Sequence, residues 1–324
     1  MLLRLTISFI LQFRRQIDHP FVVNLRYAFQ DDENCFFVLD LMLGGDLRCS
    51  SNLHLLPSFP PIHVVYSPLG PIRFFIRGDR SILYGRALIC SMFLAREAHH
   101  ASVRIASLAL VPLYLTLTCV PCRHSNRDIK PDNILLDERG HAHLTDFNIA
   151  VHYSDRRLLT GVAGSMAYMA PEILHKRGYT YPIDWWSLGV CAYELIFGRR
   201  PFRGRTNTAL TLSISKDSLR FPENAGEKCS SAGISFLRGV RLPFWPAPKY
   251  RSSSSLPQLL ERDAHKRLAC SPQGDSLDEI QQHAWFSSIN WAALNRKELP
   301  SPFVPDVGTL RPWISIPLLT ASHI

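Results

Sequence analysis

The sequence is short of lysine, and the shortage is uneven along the chain. Of its 36 basic residues only 7 are lysine, and the first of them is Lys130 in a chain of 324 residues. Charged residues make up 19% of the sequence and hydrophobic residues 46%, with 23 prolines. This balance excludes a disordered chain, a collagen-like repeat and a highly charged coiled coil. A globular protein with one large or two modest domains remains.

Cysteine is also too sparse to form a covalent framework. The 8 cysteines are spread irregularly, which argues against a small secreted disulfide protein. A reducing compartment is favoured, so we expect a cytoplasmic location. Cys119 and Cys122 lie close to each other and to His124. Because no second cysteine pair follows at zinc-finger spacing, we interpret the two as free thiols rather than as half of a zinc site.

Long uncharged segments are rare, and one of them has the length of a membrane span. Residues 105–122 carry no charge, and this length is sufficient to cross a bilayer. Pro112 and Pro121 interrupt the segment, which then leads into a charged region. We therefore expect a buried segment and no membrane association. A membrane-anchored fragment is the weaker alternative.

The positive net charge is concentrated in two segments. Residues 49–126 contain seven arginines and two acidic residues, and residues 238–257 contain three arginines, one lysine and no acidic residue. Together these segments account for the whole formal net charge of +9. The rest of the chain is neutral, so the charge does not indicate a nucleic-acid partner.

Outside these two segments, hydrophobic patterns predict regular structure. Alternating residues over 21–27 and 35–41, joined by an acidic turn, predict a β-hairpin. A short strand at 134–136 and an alternating strand at 141–146 flank a second turn. A helix is predicted over 184–197. Its signals are Asp184 as N-cap, a face formed by Trp185, Leu188, Ala192 and Leu195, and Gly198 after its last residue.

Three motifs follow one another in the ordered part of the sequence. They are Arg127-Asp128-Ile129-Lys130-Pro131-Asp132-Asn133, then Asp146-Phe147-Asn148, and then Ala170-Pro171-Glu172. Each motif alone occurs by chance, but their order and spacing together do not. The set resembles the catalytic segment of protein kinases.

Other segments resemble one branch of that family. The sequences Asp-Phe-Asn in place of Asp-Phe-Gly, "DLMLGGDLR" and "DWWSLGV" are similar to the YANK-type branch of the AGC serine/threonine kinases. The resemblance implies an α+β fold with a mainly helical large lobe and a truncated β small lobe. It divides the chain into an unmatched N-terminus (1–16), a remnant of the small lobe and hinge (17–48), an unmatched segment in place of early large-lobe helices (49–126), the large lobe (127–306, with an unmatched insert at 238–257) and an unmatched tail (307–324).

The resemblance implies a reaction and assigns roles to individual residues. The chain would transfer the γ-phosphate of ATP to serine or threonine hydroxyls of a protein substrate, with Mg²⁺. Asp128 would accept or orient the hydroxyl proton, and Lys130 would contact the γ-phosphate. Asn133 and Asp146 would hold Mg²⁺, which prefers oxygen ligands. Lysine two residues after Asp128 favours serine or threonine over tyrosine as acceptor.

The resemblance also implies a nucleotide pocket and an ion pair. The backbone of Asp40 and Met42 would contact adenine, Leu39 would be the gatekeeper, Asp46 would lie near the ribose and Leu135 beneath the base. A separate ion pair, Glu172 with Arg267, would tie the activation segment to the large lobe.

The chain departs from the family pattern before the catalytic loop. Eighteen residues precede His19, and they contain neither a Gly-x-Gly-x-x-Gly motif nor the lysine that pairs with phosphate. Asn126 replaces a histidine, and Gly161 takes the place of a phosphorylated residue, next to Thr160. We therefore expect impaired catalysis. The alternative is a catalytically dead pseudokinase or a protein-interaction module.

The unmatched internal segments interrupt the kinase-like sequence cleanly. Kinase-like sequence stops at Arg48 and resumes at Arg127, and it stops again at Leu237 and resumes near Leu259. We interpret segments 49–126 and 238–257 as translated non-coding sequence. Finding both segments in the spliced transcript would contradict this interpretation.

Overall fold

The computed structural model describes residues 19–30, 35–48, 124–154, 158–238, 259–268, 270, 280–301 and 304–305. The predictions for 105–122 and for Cys119 and Cys122 lie outside these ranges. Within them, no helix combines the length and the apolar character needed to cross a membrane. His124 packs against His152 with their ring centroids 5.2 Å apart. Cys191, Cys229 and Cys270 are buried.

Within the described ranges, short strands precede a mainly helical part, which confirms the predicted α+β class. The strands are β1 (Leu25–Gln30), β2 (Cys35–Leu39), β3 (His124–Ser125), β4 (Ile134–Leu136), β5 (Ala142–Leu144) and β6 (Val151–His152). They form three antiparallel pairs, β1 with β2, β3 with β6 and β4 with β5. The helices are α1 (Pro171–Leu174), α2 (Pro182–Phe197), α3 (Asn207–Lys216), α4 (Ala225–Lys228), α5 (Ser231–Arg238) and α6 (Trp291–Asn295). Single 3-10 turns occur at Pro131–Asn133, Met166–Tyr168 and Ala284–Phe286.

The predicted hairpin exists, but its first strand begins later than the sequence indicates. β1 begins at Leu25, whereas the strand was predicted from Phe21. The reason is that residues 21–23 pair with β5 instead of β2. The Val23 amide donates to the Leu144 carbonyl at 3.0 Å, and the Leu144 amide donates to the Phe21 carbonyl at 2.9 Å. This pairing joins the hairpin to β5.

The predicted central helix is present as α2, but its N-cap prediction is wrong. α2 begins at Pro182, and the N-cap is Tyr181, which makes no side-chain capping bond. Proline is favoured at the first position of a helix because its φ angle is already helical and its missing amide is not needed there. Asp184 therefore lies inside the first turn. The end of the helix is as predicted, since Gly198 adopts a left-handed conformation with φ 68°.

α2 lies at the centre of the hydrophobic core and is buried on both sides. Trp185, Leu188 and Ala192 belong to one buried cluster, as the predicted face requires, and Leu195 packs against that cluster partly exposed. Trp186 and Val190 belong to a second buried cluster. A helix that is hydrophobic on all sides is a core helix. α2 is thus the central helix of the described core.

Candidate active site

The carboxylate of Asp128 is held by three neighbouring groups. Its Oδ1 atom accepts a hydrogen bond from the Ser165 amide at 2.9 Å. Its Oδ2 atom lies 2.5 Å from the Lys130 ammonium nitrogen and 3.1 Å from the Asn133 side-chain nitrogen. The Lys130 ammonium also donates to the Ser165 hydroxyl at 2.9 Å. The structure thus brings Asp128, Lys130 and Asn133 together and fixes the orientation of the carboxylate.

Asp184 supports the catalytic loop from below. Its two carboxylate oxygens accept hydrogen bonds from the backbone amides of Asn126 and Arg127, both at 2.9 Å. Arg127 adopts a left-handed conformation with φ 66°, which costs energy for a residue other than glycine. The two bonds from Asp184 therefore hold a strained segment in place. The Oδ1 atom of Asn126 accepts a further hydrogen bond from the Asp128 amide at 3.0 Å.

Burial gives Asp184 an unusual titration. Desolvation raises the pKa of this carboxyl from its ordinary value of 3.8 to about 6, although the bonds from Arg127 and Asn126 oppose the shift. Since the folded-state pKa is the higher one, the folded protein binds the proton more tightly than the unfolded chain. The stability contributed by this group is therefore fully present below about pH 4 and is lost as the pH rises through about pH 6.

An Asp184→Asn variant isolates this titration, because asparagine does not ionise. We subtract the free energy of unfolding of the variant from that of the wild type. We expect this difference to fall by up to about 3 kcal/mol between about pH 4 and about pH 7. Urea unfolding of both proteins across this range measures the difference. A difference that does not change with pH would show that Asp184 is not shifted as the structure indicates.

Ser165 and Gly164 complete the site, and neither belongs to the three motifs from which the site was predicted. Gly164 has φ 108°, and a Cβ atom at this position would lie 2.4 Å from the Arg127 carbonyl oxygen. Glycine is required here because both the conformation and the close approach exclude a side chain. Gly164 thereby allows the Ser165 amide to reach Asp128. The sequence signal for both residues is the Gly164-Ser165 pair, which stands between the Asp-Phe-Asn and Ala-Pro-Glu motifs.

Asn133 and Asp146, the predicted metal ligands, lie on neighbouring segments. The Thr145 amide donates to the Asn133 carbonyl at 2.9 Å, which places Asp146 beside the turn that contains Asn133. The Asn133 side-chain nitrogen is bound to the Asp128 carbonyl oxygen at 3.0 Å. This bond orients the Asn133 amide oxygen away from Asp128. An amide oxygen and a carboxylate are suitable donors for Mg²⁺, so the residues present fit this ion.

Two of the predicted nucleotide residues, Asp46 and Leu135, are brought together by contacts between residues 44–46 and β4. Asp46 forms a β-bridge with Leu135, and the Leu136 amide donates to the Gly45 carbonyl at 2.8 Å. Gly44 makes this approach possible, since a Cβ atom there would lie 2.6 Å from the Leu136 Cβ atom. The expected ribose contact, Asp46, and the residue expected beneath the base, Leu135, are therefore adjacent.

Asp40 is anchored to the hairpin that precedes the hinge. Its carboxylate accepts bonds from the Arg26 guanidinium at 2.5 Å and the Asn24 side chain at 3.1 Å, and its amide donates to the Asn24 carbonyl at 3.1 Å. Partial burial acts to raise the pKa of the Asp40 carboxyl, but the bonds from Arg26 and Asn24 outweigh it and hold this pKa below its usual value. Because the amide is committed to Asn24, a purine contact at Asp40 would use the carbonyl. Leu39 ends β2, and Met42 follows two residues after Asp40. The purine contacts of all three residues stay predictions.

Comparison with known proteins identifies the family. The family described as the protein kinase domain matches residues 121–286, just over half of the chain. The chain belongs to the protein kinase family. It is 33% identical to human serine/threonine-protein kinase 32B over 93% of its own length and 57% of that protein's length. It is 30% identical to mouse ribosomal protein S6 kinase alpha-3, over 90% of its own length and 30% of that protein's length. It is 31% identical to serine/threonine-protein kinase Sgk1 of Fundulus heteroclitus, over 90% of its own length and 52% of that protein's length.

The predicted resemblance to AGC-group serine/threonine kinases of the YANK type is confirmed by these relatives. The kinase spans about half the length of these relatives, or less. The proposed division of the chain into segments stays a prediction.

The activation segment of the kinase is linked to the catalytic loop through Arg127. Its guanidinium donates to the Ile149 carbonyl at 2.6 Å and to the Tyr179 hydroxyl at 3.2 Å. The Tyr179 hydroxyl in turn donates to the Gly161 carbonyl at 2.5 Å. Thr160, beside Gly161, is exposed. Arg127 thus contacts Ile149 directly and Gly161 through Tyr179.

The predicted ion pair between Glu172 and Arg267 is present and buried. Two guanidinium nitrogens of Arg267 lie 2.8 Å and 3.2 Å from the two carboxylate oxygens of Glu172. Arg267 also donates to the carbonyls of Pro182 at 2.6 Å and Glu261 at 2.9 Å. The side chain of Arg267 is 0% exposed and lies over the Trp186 ring at 5.4 Å. A bidentate geometry with further carbonyl partners is what a buried charge pair requires.

Proposed function

We propose that this chain is a serine/threonine protein kinase that transfers the γ-phosphate of ATP to protein hydroxyls in the presence of Mg²⁺, with impaired catalysis, and that it acts in the cytoplasm. The observation that carries the proposal is the arrangement around Asp128. The Asp128 carboxylate, the Lys130 ammonium group and the Asn133 amide converge within one loop, and Asp146 lies on a neighbouring segment. Phosphoryl transfer needs an oriented hydroxyl and stabilised charge, and these groups supply both.

In this mechanism Asp128 takes the proton of the acceptor hydroxyl. The hydroxyl oxygen forms a bond to the γ-phosphorus as the bond from phosphorus to the leaving ADP oxygen breaks. Asp128 is poised for this role because the Ser165 amide and the Asn133 side chain hold its two oxygens. Lys130 contributes a positive charge beside the carboxylate and is itself positioned by the Ser165 hydroxyl. That charge stabilises negative charge on the transferring group.

Asn133 and Asp146 would hold Mg²⁺, and Leu39, Asp40, Met42, Asp46 and Leu135 would line the ATP pocket. Bound Mg²⁺ supplies electrostatic stabilisation of the phosphate oxygens. The Asn133 side chain can serve the metal and Asp128 at once, since its nitrogen binds Asp128 while its oxygen is oriented away from it. This double role explains why an amide is found at position 133 and not a second carboxylate.

An Asp146→Asn variant tests the metal site directly. We expect wild-type ATP binding to weaken at least about tenfold when Mg²⁺ is removed by a chelator, and binding by Asp146→Asn to be insensitive to the chelator. Calorimetric titration with ATP measures both. Asp263→Asn is the matched control, because it makes the same substitution at an exposed position away from the site.

Acceptor specificity is tested with two peptide libraries. The first offers serine and threonine as acceptors, and the second offers tyrosine. Labelled phosphate should appear on the first library and not on the second. Equal ATP binding with and without Mg²⁺, together with no labelled product in either library, would contradict the proposed enzymatic function. This result would favour the alternative of a protein-interaction module.

A further inference from the structure

A cluster of charged side chains lies beside the catalytic loop and takes no part in the proposed chemistry. The guanidinium of Arg48 lies 2.6 Å from an Asp132 carboxylate oxygen and 3.4 Å from a Glu194 carboxylate oxygen. It also donates to the Tyr168 hydroxyl at 2.5 Å, and that hydroxyl donates to Glu194. Asp132, Glu194 and Tyr168 are called the acidic cleft below. Arg48 joins three segments that are far apart in sequence.

The acidic cleft adjoins the segments that hold the proposed proton acceptor. Asp132 belongs to the 3-10 turn Pro131–Asn133, which supplies a predicted metal ligand. Tyr168 ends the 3-10 turn Met166–Tyr168, which follows directly after Ser165. Ser165 contacts both Asp128 and Lys130. The two walls of the cleft are therefore continuous with the segments that hold the proton acceptor.

The cleft is open to solvent on one side. The side chains of Arg48 and Asp132 are 32% and 43% exposed, whereas Glu194 is 14% exposed. Partial burial opposes the charged form of Arg48, yet the bonds to Asp132 and Tyr168 raise its pKa above the usual value. The guanidinium is thus permanently charged and offsets the two carboxylates. Without it, two carboxylates and a phenol would face each other beside the acceptor site, an arrangement that binds guanidinium groups well.

We propose that Arg48 is a specificity-determining residue, which fills the acidic cleft with a guanidinium group of the chain itself. A peptide substrate then binds beside Asp128 without supplying an arginine or lysine of its own to this cleft. Removal of Arg48 opens the cleft to a cationic side chain of the peptide. The inference rests on the proposed function, because it concerns the peptide that this kinase phosphorylates.

The experiment measures peptide binding separately from phosphate transfer. Each fluorescent peptide has alanine in place of the acceptor serine and a single arginine, whose position on either side of the alanine differs from peptide to peptide. A parent peptide without arginine is the reference. Fluorescence anisotropy gives the affinity of each peptide for the wild type, Arg48→Ala, Arg48→Gln and Arg48→Ala/Asp132→Asn. Arg296→Ala is the matched control, since Arg296 forms an exposed ion pair with Glu298.

We expect the wild type and Arg296→Ala to bind all peptides within about twofold of the parent. Arg48→Ala should prefer one arginine position by about tenfold or more, because a hydrogen-bonded charge pair forms in the emptied cleft. The double variant should lose this preference. Arg48→Gln keeps a polar side chain that is shorter and uncharged, and it should show the same preference, so the test stands if Arg48→Ala does not fold.

A second readout requires no peptide. Methylguanidinium should raise the melting temperature of Arg48→Ala and leave that of the wild type unchanged. A wild type that already prefers arginine peptides, or Arg48 variants with neither arginine preference nor stabilisation by methylguanidinium, would overturn the proposal. Absence of phosphate transfer alone would count against the proposed function and not against the role of Arg48.

Discussion

Asp128→Asn should reduce the rate of phosphate transfer by about a hundredfold to ten-thousandfold, the range typical for loss of a positioned proton acceptor. Asparagine preserves the shape of the side chain, but its amide cannot take the proton. In addition, the amide nitrogen would face one of the donors that now bind the carboxylate, either the Ser165 amide or the Lys130 ammonium. ATP affinity should change little, because Asn133 and Asp146 are untouched. Initial rates with labelled ATP measure the effect.

Asp263→Asn is the control for this variant. Asp263 is exposed, and the atom that accepts the His265 amide bond, at 3.1 Å, can remain an oxygen after the substitution. Its transfer rate should equal that of the wild type. Retention of the wild-type rate by Asp128→Asn, to within a few-fold, would show that Asp128 is not the proton acceptor.

Arg267→Met should destabilise the protein by about 3 to 5 kcal/mol, because it leaves the carboxylate of Glu172 buried without its partner. This is a large part of the roughly 5 to 15 kcal/mol that stabilises a typical domain. The substitution also removes the donors to the Pro182 and Glu261 carbonyls, which join α2 to the segment after residue 258. Urea unfolding measures the loss.

The double variant Glu172→Gln/Arg267→Met separates the charge effect from the packing effect. It should be more stable than Arg267→Met, since no unpaired charge remains in the core. Arg296→Met, which breaks an exposed pair with Glu298, should unfold as the wild type does. If Arg267→Met were as stable as Arg296→Met, the buried pair would not tie the activation segment to the large lobe.

The sequence predicted the groups whose partners belong to recognisable motifs. Asp128, Lys130 and Asn133 lie within one short motif, and the Glu172–Arg267 pair joins two segments that both resemble the family. The helix α2 and the pair β4–β5 were predicted because their apolar spacing is regular. These features depend on local pattern, or on a pattern shared with many proteins.

The sequence did not predict the contacts that depend on distant parts of the chain. Asp184 was interpreted as an N-cap, because capping rules consider only the next few residues, yet its partners lie 57 and 58 residues away. Arg48 was read only as the end of a hinge-like motif, although its guanidinium reaches Asp132 and Glu194. The first predicted strand extended too far because alternation does not reveal that residues 21–23 pair with β5.

Transfer of labelled phosphate from ATP to serine and threonine peptides tests the central claim most directly. The purified chain is assayed with Mg²⁺ and with a chelator, beside Asp128→Asn and Asp263→Asn. Our account predicts labelled phosphoserine or phosphothreonine that requires Mg²⁺, is retained in Asp263→Asn and is lost in Asp128→Asn. Labelling that does not depend on Mg²⁺ or on Asp128, or no labelling by the wild type, would contradict it.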